Sequence, residues 1–338
     1  MILVKDTDFS NMSQTNQLIC SKAMGRGWKV YVTNLGPPHM FIDRGDNKKL
    51  HIFSATPPTM SFAWAHLVDN KFATSEVLRS EGVEQLDVIL VGDFEQDREQ
   101  IVNFIEKHKK VVMKPIDGGH GKGVTVNIDN INKAEIAFVP ALSNIRTLNK
   151  VIMQKQFVAE SIHDIRVLCI AKKFVAALER VPASVIGDGI NTIEELVNIE
   201  NKKPDRGVAY RAKLAIINIE LVRSYLGDGI KNILPKGQQM QVLGVANYGQ
   251  GGHIVDVTDS VPDWMKQQAE KASEALCLDV SGVDFMTSKK VNLDMPDSMD
   301  NAVIIEVNKC PALSIHDKPT IGDDRMVTDS YLNFLASL

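Results

Sequence analysis

The chain has 338 residues, 44% of them hydrophobic and 24% charged, with a formal net charge of −4. This is an ordinary globular composition with room for two or three lobes, and the mild acidity gives no electrostatic reason to expect a nucleic-acid partner. No apolar run approaches the roughly 18 residues of a membrane span, MILVKDTDFS lacks a signal-peptide layout, and Cys20, Cys169, Cys277 and Cys310 form no CxxC pair. A cytoplasmic protein with no membrane partner, structural zinc or disulfide framework is expected.

In chain order, MILV, WKVYVTNLG and KKLHIF read as strands, with a helix at SQTNQLICSKAM among them. Pro57 and Pro58 mark a break. SFAWAHLVDNKFATSEVLRSEG then reads as one helix, stopped by Gly82. LDVILVG is a strand, DREQIVNFIEKHKK an amphipathic helix, and VVMKP a buried strand ended by proline at a glycine-rich turn. This alternation points to an α/β fold.

VIMQKQFV, IRVLCIAKK and FVAALERV form a second, antiparallel group of strands. NTIEELVNIENKK has a helix pattern, with Asn191 as cap and Glu194 three residues on. After ANYGQGGHIVDVT come the helix DWMKQQAEKASEAL, two apolar strands, VSGVDFM and NAVIIEVN, and a closing helix, DSYLNFLASL.

The two apolar strands end in hard oxygen donors. Asp284, Glu306 and Asn308 suit Mg²⁺, a cation that shares its coordination with substrate phosphates. DGGHGKGV (117–124) follows VVMKP and lets backbone N–H groups wrap an anion, although it matches neither a P-loop nor GxGxxG. On spacing alone it reads equally as a plain loop tip. Lys114 weighs toward the anion, because a lysine on a buried strand needs a negative partner.

ANYGQGGHIVDVT reads as a flexible lid or as a tight turn. Arg166 and Arg180 lie on strands rich in Val, Ala and Leu, where arginine pairs with phosphate or with an internal carboxylate. Lys71, by pattern, is a solvated helix residue. His120 and His253 lie in glycine loops without metal-ligand spacing, and the methionines and tryptophans read as filler.

Taken in order from about residue 60 to 315, these residues resemble the ATP-grasp ligases. The chain is similar to the ATP-grasp domain of cyanophycin synthetases and to the glutathione-synthetase half of bifunctional glutathione-forming enzymes. RVPASVIGDGINTIEELVNIENKKPDRG (180–207) resembles an insertion those enzymes carry. NYGQGGHIVDVT, SGVDFMT and IIEVNKCPAL follow in the family's order.

The resemblance implies an α/β (α+β) ATP-grasp fold with a short N-terminal domain (1–60) and two lobes clasping ATP (61–152 and 153–338). It makes Lys71 and Lys114 the phosphate lysines, and Gly118, Gly119, Gly121 and Gly123 the flexible loop. Gln154, Lys155, Gln156 and Phe157 become the adenine hinge, where the family's usual acidic residue is absent. Asp164 becomes the ribose acid, and Arg166 and Arg180 the arginines that touch acyl phosphate or substrate carboxylate. Asn247 with Gly251 and Gly252 becomes the acceptor-side loop, and Asp284, Glu306 and Asn308 the magnesium ligands.

ATP with two Mg²⁺ ions, replaceable by Mn²⁺, would turn a carboxylate into an acyl phosphate for attack by an amine. The substrates implied are small-molecule or peptide carboxylates and amines, and the resemblance is compatible with a homodimer. The extra domains of those relatives have no counterpart in this chain, so a stand-alone amino-acid or peptide ligase is expected. A glutathione-synthetase-like enzyme, an ATP-grasp kinase and a non-catalytic ATP-binding regulator are the alternatives.

Overall fold

A computed structural model describes residues 1–5, 12–33, 39–46, 48–118, 121–208, 212–244, 246 and 248–338. Strands β1 (Ile2–Leu3), β2 (Lys29–Val32), β3 (His39–Asp43) and β4 (Lys49–Phe53) form an antiparallel sheet in that order, with α1 (Gln14–Gly25) between β1 and β2. The Ser13 side chain caps α1 by accepting from the Asn16 N–H. β3 was not among the expected strands. Its alternation, with Met40 and Ile42 inward, is too short to stand out until β2 and β4 flank it.

The single helix expected over 61–82 is two helices, α2 (Phe62–Asp69) and α3 (Lys71–Ser80). Asn70 between them is extended at ψ 102°, and its side chain accepts from the Ala73 N–H. A short amide side chain competes for backbone partners and so starts a new helix where the apolar pattern runs on. Gly82, at φ +70°, follows the end of α3 as expected.

β5 (Val88–Val91), α4 (Arg98–His108), β6 (Val111–Pro115), β7 (Thr125–Ile128), α5 (Ile131–Leu142) and β8 (Val151–Lys155) make the next unit. Its sheet has the order β5-β8-β6-β7, with every neighbouring pair antiparallel. The strand–helix–strand reading holds, but β8, expected to group with β9 and β10, pairs instead with β5 and β6, the two strands that flank α4, and lies between them. Ile101, Phe104, Met113, Ile128, Ala137 and Met153 fill the core under α4 and α5.

β9 (His163–Ile170) and β10 (Lys173–Val181) lead into an insertion. It comprises β11 (Ser184–Ile186), α6 (Ile193–Asn201), β12 (Arg206–Gly207), β13 (Leu214–Ala215), α7 (Ile219–Leu226) and β14 (Gln239–Gln241). The helix expected at NTIEELVNIENKK is capped one residue later than expected. Thr192 and Glu195 form the reciprocal box, while Asn191 donates to Asp188. Val185, Ile193, Leu196, Val197 and Val222 belong to a core of the insertion's own.

β15 (His253–Asp256), α8 (Asp263–Ala275), β16 (Val280–Thr287), β17 (Ala302–Asn308), α9 (Ser314–Asp317) and α10 (Val327–Ser337) complete the chain. The large sheet runs β15-β10-β9-β16-β17, all antiparallel. One face, with Val167, Val283 and Phe285, packs on Met265, Ala269 and Ala272 of α8. The other face shares Leu168, Ala176 and Val280 with Val30, Met40 and Tyr331 of the first sheet and α10. No helix among the described residues is long and apolar enough to cross a membrane.

Candidate active site

The unpacked part of that second face carries the charged residues. Register across the sheet sets Arg166 opposite both Leu178 and Asp284, and Asp284 opposite Glu306. An irregularity between Asp284 and Phe285 leaves Ile305 as an extra residue on β17. Such a bulge bends the strand and re-aims the side chains beside it. Glu306 follows the bulge, and Asn308 comes two residues later on the same face.

Asp284 is 1% exposed and saturated. It accepts from Arg166 Nε on one oxygen; on the other it accepts from Arg166 Nη2 at 2.7 Å, Arg180 Nη2 at 2.9 Å and Asn308 Nδ2 at 3.3 Å. Burial works against its charge, but the two guanidinium groups hold its carboxyl below the usual carboxylate range. Arg180 also donates to Asp164 from Nη2 at 2.6 Å and Nε at 3.0 Å. Burial pushes Asp164 up to about 6 against the pull of Arg180, with Asp284 adding to the rise. Of the two sequence readings of Arg166 and Arg180, internal ion pairing is the one this geometry has.

Gly282 makes room for this pairing. A Cβ there would lie 2.8 Å from Arg166 Cδ and 3.1 Å from Pro311 Cβ. Behind the pair lies the buried His316, whose Nε2 has no hydrogen-bond partner. Burial, with Arg166 next, pushes this ring down to about 3, so it is neutral. Neither residue had a site role in the sequence reading. Gly282 stood inside the quoted SGVDFM, whereas no local pattern marks His316.

A second group stands opposite, across the cleft. The break at Asn70 puts Lys71 at the start of α3, where its N–H donates to Ile116 O at 2.9 Å. Lys71 Nζ donates to Gly118 O and lies 3.4 Å from a Glu306 oxygen, so it is not the solvated residue its pattern suggests. Lys309 secures the other side of the break by donating to Ala65 O at 2.7 Å and Asp69 at 2.6 Å. Lys114 Nζ donates to Gln154 Oε1 at 2.8 Å. Burial pushes its ammonium down to about 8, with Glu306 opposing and Lys71 adding to the fall. Lys71, Lys114, Gln154, Glu306, Val88 and Ile305 line one cleft. Two ammonium groups facing one carboxylate leave positive charge for an anion.

The glycine loop begins beside this cleft. A Cβ on Gly118 would lie 2.8 Å from Pro115 Cβ, and one on Gly123 2.8 Å from Pro140 O. Gly121 and Gly123 take φ +74° and +70°. Asp117 ties the loop base to the Arg146 N–H at 3.0 Å and the Thr147 N–H at 2.7 Å. Gly119, His120 and Asn247 lie outside the described residues.

At the proposed hinge, the Lys155 N–H donates to Asp87 O at 2.8 Å and the Gln156 N–H to Lys110 O at 3.0 Å. The Gln156 side chain pairs with Asn127, and the Lys155 side chain is exposed. Gln154 faces Lys114 from inside β8. Phe157 is buried with Leu86 and Val303, next to Met286 and Ile305, in an apolar layer beside the charged row. Gly251 takes φ +95° against Ile217. His253, half-buried, opposes Val181, on the side of the sheet away from Arg180.

The donor chemistry of Asp284, Glu306 and Asn308 fits a hard cation, because two carboxylates stand on facing register positions and the amide of Asn308, now turned with its N–H to Asp284, could offer its oxygen there. Their present partners are cations and an amide N–H that a metal would replace. Among the described residues no three His, Cys, Asp or Glu side chains form a ready cluster.

Residues 87–188 match the family model of the prokaryotic glutathione synthetase ATP-grasp domain. Cyanophycin synthetase of Trichormus variabilis is 31% identical over 273 residues, covering 80% of this chain and 29% of the relative. Glutathione biosynthesis bifunctional protein GshAB of Clostridium perfringens is 28% identical over 340 residues, covering 97% of this chain and 41% of that protein. The chain thus spans less than a third of the first relative and about two fifths of the second. In structure it is similar to a bifunctional glutathione synthetase from Pasteurella multocida, with TM-score 0.71 and 24% identity over 98% of this chain and 45% of the other. The chain thus has the ATP-grasp fold, and over residues 87–188 it is similar to the ATP-grasp domain of these relatives.

Proposed function

We propose that the protein is an ATP- and Mg²⁺-dependent ligase that joins a carboxylate to an amine through an acyl phosphate, releasing ADP and phosphate. The observation that carries this reading is the convergence of Lys71, Lys114 and Glu306 in one cleft beside the Arg166–Asp284–Arg180 cluster. ATP would be clasped between the lobe of residues 61–152 and that of 153–338, its base in the apolar layer of Phe157, Met286 and Val303.

Lys71, Lys114 and the backbone of the 117–123 loop would hold the phosphates. Arg166 and Arg180 would release Asp284 and turn to the oxygens of the acyl phosphate and of the tetrahedral intermediate formed by amine attack. Asp164 would take the ribose. Magnesium, held by Asp284, Glu306 and Asn308, would neutralise phosphate charge. Among the described residues no side chain stands as a dedicated general base, so the amine would arrive deprotonated or give its proton to a substrate carboxylate. In this reading the protein works in the cytoplasm on small-molecule or peptide substrates and pairs with neither nucleic acid nor membrane; a homodimer is compatible with it.

The test is incubation with ATP, Mg²⁺ and a panel of amino acids and dipeptides, following ADP and amide product together. Stoichiometric ADP and amide that require both a carboxylate and an amine are expected, and Glu306→Ala should abolish them. ADP with phosphorylated acceptor and no amide would overturn the ligase reading.

A further inference from the structure

The insertion has its own core, yet one buried guanidinium ties it to the loop at residues 248–252. The Arg206 side chain is 0% exposed. It donates to Glu200 Oε1 from Nε at 3.1 Å and Nη2 at 3.0 Å, which anchors it to α6. Its Nη1 donates to Ala215 O on β13 at 2.7 Å and to Gly251 O at 3.2 Å. The planar fork suits this task, since its fixed donors reach a carboxylate and two carbonyls at once.

Two further contacts close the same seam. Tyr248 donates its hydroxyl to Ala212 O at 2.8 Å and Lys213 O at 3.2 Å. Gly251 presses on Ile217, where a Cβ would lie 2.6 Å from Cγ1. Ile217 itself belongs to the insertion core and is bracketed by the Asn201 amide at 2.8 and 2.9 Å. The backbone around Gly251 thus meets the insertion through three contacts, while β15 leads directly from it to Arg180's neighbour, Ile254.

We infer that Arg206 is a positioning residue that latches the insertion onto the 248–252 loop, so that the insertion sets where the second substrate sits. The inference rests on the proposed ligase reading for that loop's role, while the latch itself rests on the contacts above. The ATP cleft of Lys71 and Lys114 shares none of these contacts, so the latch acts on the acceptor side alone.

The test compares the full chain with Arg206→Lys, which keeps a cation for Glu200 but loses the fork, and with Tyr248→Phe. Backbone amide exchange at residues 214–216 and 248–252 is expected to quicken at least tenfold in Arg206→Lys, and less in Tyr248→Phe. Leu196, inside α6, should change less than twofold. Affinity for AMP-PNP with Mg²⁺ should stay within twofold. For the amine of each active panel pair, KM should rise about tenfold, while KM for the carboxylate and for ATP holds.

Unchanged exchange at 248–252, or a uniform rise through the insertion, would overturn the latch. So would an unchanged KM for every active panel member, or an equal loss of AMP-PNP affinity. If the unaltered protein joins no pair, the ligase reading fails, and the latch is judged on exchange and AMP-PNP binding alone.

Discussion

Asp284 accepts hydrogen bonds from both Arg166 and Arg180, and its carboxylate is thereby neutralised at the centre of the sheet. Asp164, whose side chain accepts from Arg180, sits in the same cluster but is pushed in the opposite direction. The two acids should therefore respond differently to removal of their charge. Asp284→Asn strips a buried pair of its anion and should cost about 3–5 kcal/mol of stability at pH 7. Asp164→Asn should cost less than about 1 kcal/mol, because burial already disfavours its ionised form. Urea unfolding at pH 7 checks both, and equal losses would contradict the assignment.

The sign of the pH dependence follows from the same two groups. Asp164 binds its proton more readily folded than unfolded, so its contribution favours folding below its unfolded value and is lost as pH rises through about 6. Asp284, with a lowered value, contributes stability above its unfolded value that is lost as pH falls. Asp164→Asn should therefore flatten the decline in stability between pH 4 and roughly 6. Unfolding curves at pH 4, 5, 6 and 7 would show an unaltered slope if this is wrong.

Lys114, pushed down to about 8, holds its charge at a cost to folding. The unfolded chain binds that proton more tightly, so the penalty is full below about pH 8 and fades as pH rises toward the ordinary lysine value. Lys114→Met should keep or raise Tm at pH 7 and lose that advantage by pH 10. Its affinity for AMP-PNP with Mg²⁺ should fall roughly thirtyfold, the weight of about 2 kcal/mol for a charged hydrogen bond. Calorimetry on the variant decides the matter, and a Tm several degrees lower would refute the account.

Gly282→Ala places a methyl against Arg166 Cδ, and Pro311 closes the other side. Overpacking of this kind costs about 1–3 kcal/mol. The displaced guanidinium should also lower turnover at saturating ATP more than it weakens AMP-PNP binding. Wild-type stability together with wild-type turnover would show that Arg166 has space the distances deny.

Asn70→Ala removes the cap that separates α2 from α3. A loss of about 1 kcal/mol is the usual cost of such a cap. A larger effect is expected on AMP-PNP affinity, because Lys71 begins the helix that Asn70 starts. Equal scaling of the two losses would argue that the break does not aim Lys71.

Much of the site was legible along the chain because its residues end strands with strong apolar patterns. VVMKP marked Lys114, and VSGVDFM and NAVIIEVN marked Asp284, Glu306 and Asn308. Lys71 was not legible without the family resemblance, since its surroundings satisfy a helical pattern and only the competition by the Asn70 side chain breaks it. β3 and α7 escaped for a related reason, as each is too short to show a pattern of its own and is stabilised by the elements packed against it.

The sequence by itself determined which residues could carry charge to the ends of buried strands, because side-chain alternation and apolar content are local properties. Only the tertiary structure decided which charges meet. Cross-strand register brought Arg166 and Arg180 onto Asp284, a bulge turned Glu306 toward Lys71, and Arg206 joined the insertion to Gly251. Pairing depends on the distance between strands and on the space left by a glycine or a bulge, and those quantities exist only once the chain has closed on itself.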